Sequence, residues 1–455
     1  MFRRLHNSSK DMTEGSPLKL ILTFAIPMLI GNIFQQFYNM VDAIVVGRYE
    51  GENALAAVGT STSPNFLIFS LIVGLSTGLS IIISQYYGAK DYENVRKTFA
   101  TASFTIFGAA LLMSAIGFFA ARPILIFLNA PANVLEDATL YMKISSLGII
   151  GVSFYNMIAS TLRALGDSIT PLLFLILASI MNAVLDILFV YVFHMGVAGV
   201  AIATIIAQIS SALGCIIYAF KKMTILRLSK SEFRPDKAIF KKCIKLGLPV
   251  ALQNSFIACS NMALQGIING YGESYIAANV AENKIDSIVY MPSSSLGMAL
   301  STFAGQNVGA GKPERVKQGF RAAMKIIIGY CLFMTLFMYF ASPYLVRIFT
   351  KSDFVVELGT SALRITCFFY LFVSTIFISR SLLSGAGDVK VPMVMGISEV
   401  VCRYVFATIL TATSLGYLGI YVATAINWTV TSAIGMIRYL SGKWKLKGIV
   451  NTNHT

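Results

Sequence analysis

Twelve apolar stretches, each long enough to cross a lipid bilayer, constrain this chain more than any other feature of its sequence. A span needs about 20 mostly apolar residues, because an α-helix rises about 1.5 Å per residue through a hydrocarbon core roughly 30 Å thick. Runs between polar or Gly/Pro breaks fall at about residues 17–46, 54–84, 97–120, 137–161, 169–192 and 196–220. A second set falls at about 239–269, 275–305, 319–341, 355–380, 391–413 and 416–439. Only 13% of the residues are charged, against about 25% in soluble domains. Most side chains must therefore meet lipid, and the expected fold is an all-α polytopic membrane protein of twelve transmembrane helices in two six-helix lobes.

The net charge of +15 is a matter of placement. With the amino terminus inside, the inner segments hold 28 of the 36 basic residues and the outer ones only Arg48, Arg122, Lys143, Arg347 and Lys351. Lys284, Arg364 and Arg403 fall within spans. That asymmetry is the signature of cytoplasmic loops, so both termini are expected in the cytoplasm of a bacterial cell, and nucleic acid is not an expected partner. The residues before the first span are polar, and that span is too long for an h-region, so no cleavable signal peptide is expected. The six cysteines lack ligand spacing, and His6, His194 and His454 all lie outside the apolar runs. No cofactor or zinc centre is expected.

The halves repeat at a shift of about 220 to 222 residues. Pro27 matches Pro249, Asn39-Met40 matches Asn261-Met262, and Gln85 with Gly88-Ala89 matches Gln306 with Gly309-Ala310. Gly166-Asp167 and Pro171 match Gly387-Asp388 and Pro392, and Gly196 and Gly199 match Gly416 and Gly419. The expected organisation is an amino-terminal segment 1–16, a first lobe 17–220, a basic linker 221–238, a second lobe 239–440 and a tail 441–455. Two parallel repeats around a cleft suit alternating access. A proline about ten residues into the first helix of each half removes a backbone hydrogen bond, which makes Pro27 a candidate hinge.

Acids inside spans cost on the order of 2.5–3.5 kcal/mol to insert, so they tend to mark function. Asp42 and Asp186 both lie about 9–12 Å below the outer surface, by their distance in residues from Arg48 and His194. Tyr38 and Asn182 stand one turn deeper on the same faces, and Thr204 reaches a similar depth in the sixth span. Two carboxylates with amide and hydroxyl oxygens suit a small hard cation such as Na+, or a shared proton. Asp42, Asn182 and Asp186 map onto Leu264, Arg403 and Ala407, so the second half keeps the scaffold without these acids. Gln35, Asn156, Glu282 and Asp286 are candidates for lining a substrate cavity. Glu399 and Arg403, four residues apart, form a candidate gating ion pair.

The stretch Val308-Gly-Ala-Gly-Lys312 departs from a phosphate loop, because Pro313 stands where Ser or Thr is required. No nucleophile with a histidine partner is visible. Neither ATP-driven chemistry nor a membrane enzyme is expected.

Several motifs together resemble the multidrug and toxic compound extrusion (MATE) transporters over about residues 17–440. They are Ile26-Pro27 through Asp42, Arg163-Ala-Leu-Gly-Asp167 with Pro171, Glu282-Asn-Lys-Ile-Asp286, and Gly305 through Arg315. The resemblance implies a two-lobe fold with a V-shaped cavity. It also implies efflux of cationic or amphipathic drugs against sodium or proton influx. In DinF-like members the ion cluster is an aspartate in the first helix, an N-x-x-x-D pair in the fifth and a threonine in the sixth. Asp42, Asn182 with Asp186, and Thr204 match those positions. The NorM-like branch uses a helix 7 glutamate, and Leu252 to Cys259 contains no acid. The expected partners are small organic solutes and membrane lipid, the expected state is a monomer, and the rival reading is a lipid-linked saccharide flippase of related architecture.

Overall fold

The computed structural model describes residues 10–128, 130–229 and 232–450. His6 and His454, the beginning of the expected amino-terminal segment and the end of the tail lie outside the described residues. Among the described residues there is no β-strand, and all twelve expected helices are present. In the first half they are α1 (Pro17–Tyr49), α2 (Glu52–Gly88), α3 (Tyr92–Phe127), α4 (Leu135–Ala164), α5 (Ile169–Val192) and α6 (Gly196–Lys222). In the second they are α7 (Lys237–Asn269), α8 (Glu273–Gly309), α9 (Pro313–Arg347), α10 (Asp353–Gly385), α11 (Lys390–Thr411) and α12 (Gly416–Leu440).

Ten of these are long and apolar enough to cross a membrane. α7 and α8 are just as long, at 33 and 37 residues, and more polar. Helices of this length rise about 50 Å, so they outrun the hydrocarbon core. Capping sets some of their starts: the Asp91 side chain accepts from the Asn94 N–H at 3.1 Å ahead of α3, and α9 begins on Pro313. Two helices change pitch, α5 to a π-helix over Ile187–Val192 and α10 to a 3₁₀ turn over Cys367–Phe369.

The chain divides into two compact units. Unit 1 contains Ile26–Ala251 with the residues up to Asp11, and unit 2 contains Met12–Ala25 with Leu252–Thr455. The division falls beside Pro27 in α1 and two residues past Pro249 in α7. In unit 1, small residues such as Ala57, Ala110, Ala121 and Ala138 let α2, α3 and α4 approach closely around Ile68, Ile72 and Met142. In unit 2, Ile268, Ala362, Tyr417, Ile420 and Tyr421 form a comparable cluster. The repeat extends to the backbone: Gly166 and Gly387 share φ values of 90° and 89°, and Gly196 and Gly416 share 59° and 50°. These turns need a left-handed residue, which glycine supplies without steric cost.

Candidate functional site

Tyr38 and Asp42 are four residues apart on α1, as are Asn182 and Asp186 on α5, so each pair shares a helix face. α5 and α6 are joined by a short turn in which His194 and Gly196 both have positive φ. Antiparallel helices bring together residues equidistant from their turn, and this sets Thr204 opposite Asn182. Asp186 is the last residue of regular α-helix before the π segment, a local widening found often at functional sites.

The five predicted side chains meet in unit 1. Asn182 and Asp186 are fully buried. With its amide nitrogen turned to the acids, Asn182 donates to Asp42 Oδ1 at 2.8 Å and to Asp186 Oδ2 at 3.2 Å. In the opposite orientation the nitrogen donates at 3.4 Å to Asp186 Oδ1 and at 3.5 Å to Thr204 Oγ1. The two carboxyl groups lie within hydrogen-bonding reach of each other. Tyr38 is buried, with Thr204, Asp42 and Asp186 around it. Val45, Val46, Val190, Val197 and Val200 pack beside the set and keep water from that side. Neither acid belongs to an ion pair among the described residues. Two carboxylates in contact without a cation repel one another unless a proton or metal ion lies between them.

Sequence reasoning missed one member. Tyr141 on α4 is packed into the valine cluster and faces both acids. Its only signal was a tyrosine near the start of an apolar helix. Two candidates for the cavity lining do not join this set. Asn156 stands about 22 Å along α4 from Tyr141 and donates to its own helix at Val152 O. Gln35 is half-buried on α1, about 10 Å along the axis from Asp42. A cavity of about 390 Å³ in unit 1, lined by Tyr87, Tyr92, Arg96, Leu165 and Met223, sits at the other ends of these helices. Met223 follows Thr204 by about 28 Å along α6, so this cavity takes no part in the acid set.

Glu282 and Asp286 are both buried in unit 2, one turn apart on α8. Asp286 accepts hydrogen bonds from the Tyr290 hydroxyl at 2.5 Å and the Tyr370 hydroxyl at 2.6 Å. The expected Glu399–Arg403 pair does not form. Glu399 on α11 is bound by Arg380 of α10, with both side chains nearly buried. Arg403 instead donates to Asn261 Oδ1 of α7 at 2.7 Å. A carboxylate pointing into a helix interface takes its cation from the facing helix, and the spacing along α11 carried no information about that neighbour.

Two units of membrane-length helices, one of them holding the buried Asp186 against the half-buried Asp42 with no ion-pair partner for either among the described residues, are what a polytopic membrane transporter requires. The family model named MatE matches the chain twice, at residues 27–188 and 249–409. Each match begins at one of the two helix prolines. The chain is 31% identical to the probable multidrug resistance protein YpnP of Bacillus subtilis over 440 residues, covering 96% of this chain and 97% of that one. It is 30% identical to the probable multidrug resistance protein YoeA of the same organism, with 97% of each chain covered. A solved outward-facing structure of a multidrug resistance MATE family transporter of the MOP superfamily matches with a TM-score of 0.90 at 25% identity, over 96% of this chain and 99% of the other. The chain belongs to the MATE family, whose members are transporters and not enzymes.

Proposed function

We propose that the chain is a secondary antiporter that exports cationic or amphipathic organic compounds from a bacterial cell, driven by inward flow of Na+ or H+. Its multidrug-resistance relatives support the cargo class. The observation that carries the coupling is the meeting of Asp42 and Asp186 around Asn182, with neither acid in an ion pair among the described residues.

Antiport follows from competition for this site. A proton or Na+ entering from outside relieves the repulsion between the two carboxyl groups. Oxygens of Asp42, Asp186, Thr204 and Tyr38 are suitable donors for a hard cation. The Asn182 amide presents nitrogen to the bare acids and oxygen to a bound cation, so one side chain serves both states. Neutralisation changes the pull between α1 and α5. α1 then bends near Pro27, about 22 Å along the helix from Asp42, and the solute site on the outer side loses affinity. Release of the ion to the cytoplasm resets the cycle. The membrane potential contributes about 2.3 kcal/mol per charge per 100 mV to the ion step.

The test uses the purified protein in vesicles loaded with ethidium or norfloxacin, with sodium and pH gradients imposed separately. Wild type accelerates efflux under one of them. Asp42→Asn keeps its circular dichroism and loses the gradient-driven component. Undiminished gradient-driven efflux in a folded Asp42→Asn protein overturns the assignment.

A further inference from the structure

After α12 the chain turns at Gly442, a left-handed residue, into a 3₁₀ segment over Lys443–Lys447. Trp444 holds this turn in place: it is fully buried, its Nε1 donates to Tyr439 O at 3.0 Å, and its ring stacks on Tyr439. Tyr439 stacks in turn on Phe320 of α9, with centroids 3.9 Å apart. The residues around the anchor point outward. Leu446 is 86% exposed, close in sequence to Ile437 at 68% and Leu440 at 73%, which share one face at the end of α12.

Cations accompany these side chains. Lys317 and Lys445 share the single carboxylate of Glu314. Arg321 of α9, close to the Tyr439 ring, and Lys443 and Lys447 of the turn are exposed and enter no ion pair among the described residues. Five cations therefore stand against one acid in the same stretch of the surface as the exposed apolar side chains at the end of α12.

The repeat supplies an internal control. The first half also follows its last helix with a 3₁₀ turn, Thr224–Leu226. There the leucine corresponding to Leu446 is Leu226, which is 0% exposed. The basic residue after it, Arg227, is turned back to donate to Phe220 O and Lys221 O. Closing the end of a lobe thus does not require an outward leucine between free lysines, and the second half carries a surface that the scaffold itself does not demand.

We propose that the Lys443–Lys447 turn with Arg321 is a binding surface for anionic phospholipid. Lys443, Lys447 and Arg321 hold the headgroup phosphate, and Leu446, Leu440 and Ile437 lie against the acyl chains. The free cations suit a negative surface, and the exposed apolar side chains belong to the end of a helix long and apolar enough to cross a membrane. Trp444 fixes the turn at the level where aromatic rings mark the membrane interface.

The full chain is reconstituted in mixed phosphatidylcholine and phosphatidylglycerol vesicles, extracted in mild detergent, and weighed intact with its retained lipids. Wild type retains phosphatidylglycerol in preference to phosphatidylcholine. Each cation near an anionic surface contributes about fivefold, so Lys443→Gln/Leu446→Gln/Lys447→Gln lowers the preference at least tenfold, and Lys443→Arg/Lys447→Arg retains it. An unchanged preference in the triple variant overturns the proposal. So does a change of elution volume from dimer to monomer with lipid retention intact, which assigns the exposed apolar side chains to a second copy of the chain. A fluorescence arm uses Trp428→Phe, which leaves Trp444 as the only tryptophan. Brominated phosphatidylglycerol quenches it more than brominated phosphatidylcholine, and equal quenching refutes the lipid selectivity.

Discussion

Removing the Arg380 guanidinium tests how unit 2 is held together. Its side chain is 12% exposed and that of Glu399 is 14% exposed, so most of the hydration of both ions is lost on folding. Taking away one partner of such a pair leaves an uncompensated buried charge, which destabilises by about 3–5 kcal/mol. Two features place Arg380→Met at the lower end. Arg380 Nε is buried without a partner, so the pair is held through one end of the guanidinium only. The residual exposure of Glu399 also retains part of its hydration. The expected loss is about 3 kcal/mol, or roughly a hundredfold in the unfolding equilibrium. Arg380→Met/Glu399→Met removes both charges and keeps volume between α10 and α11, so it recovers most of that loss. The assay is equilibrium unfolding of the four proteins of this cycle by sodium dodecyl sulfate in mixed micelles, followed by circular dichroism. If the double variant is as unstable as Arg380→Met, packing and not charge holds this interface, and the reasoning fails.

Gly166→Ala places a methyl on a backbone with φ of 90° and within 2.2 Å of the Lys10 carbonyl, at a cost of about 1–3 kcal/mol. Gly59→Ala, inside α2 with nothing within 4 Å, raises the unfolding midpoint slightly, since alanine is favoured over glycine in a helix by about 0.5–1 kcal/mol, so thermal unfolding of the two variants in detergent separates backbone strain from a general intolerance of alanine. Tyr370→Phe removes one of the two hydroxyls that donate to Asp286, and leaving a buried acceptor short of a donor costs about 1–3 kcal/mol. A Tyr370→Phe protein as stable as wild type in the same titration shows that Tyr290 alone satisfies that carboxyl.

Much of the candidate site was legible in particular residues. Asp42, Asn182 and Asp186 stood out because ionisable and amide groups are rare in apolar runs, and four-residue spacing put each pair on one face. Thr204 followed from counting outward from the turn at His194. Tyr141 escaped because nothing in its own helix says that α4 faces α1. The partner of Glu399 escaped for a related reason, since the nearest cation along the chain was Arg403 and the nearest in space was Arg380. The pitch changes in α5 and α10 leave no mark in the apolar periodicity of those runs.

The sequence by itself determined the twelve helices, their pairing into two repeats and the presence of the Asp42 and Asp186 acids in the first repeat, where the second has Leu264 and Ala407. Lipid and backbone hydrogen bonding make length and hydropathy nearly sufficient for that. Tertiary structure alone decided which side chains touch: the carboxyl contact bridged by Asn182, the Arg380–Glu399 pair, and the outward turn of Leu446 where Leu226 turns in. Those outcomes depend on rotations and separations of a few ångströms between helices, and a one-dimensional pattern fixes the faces of each helix without saying which neighbour each face meets.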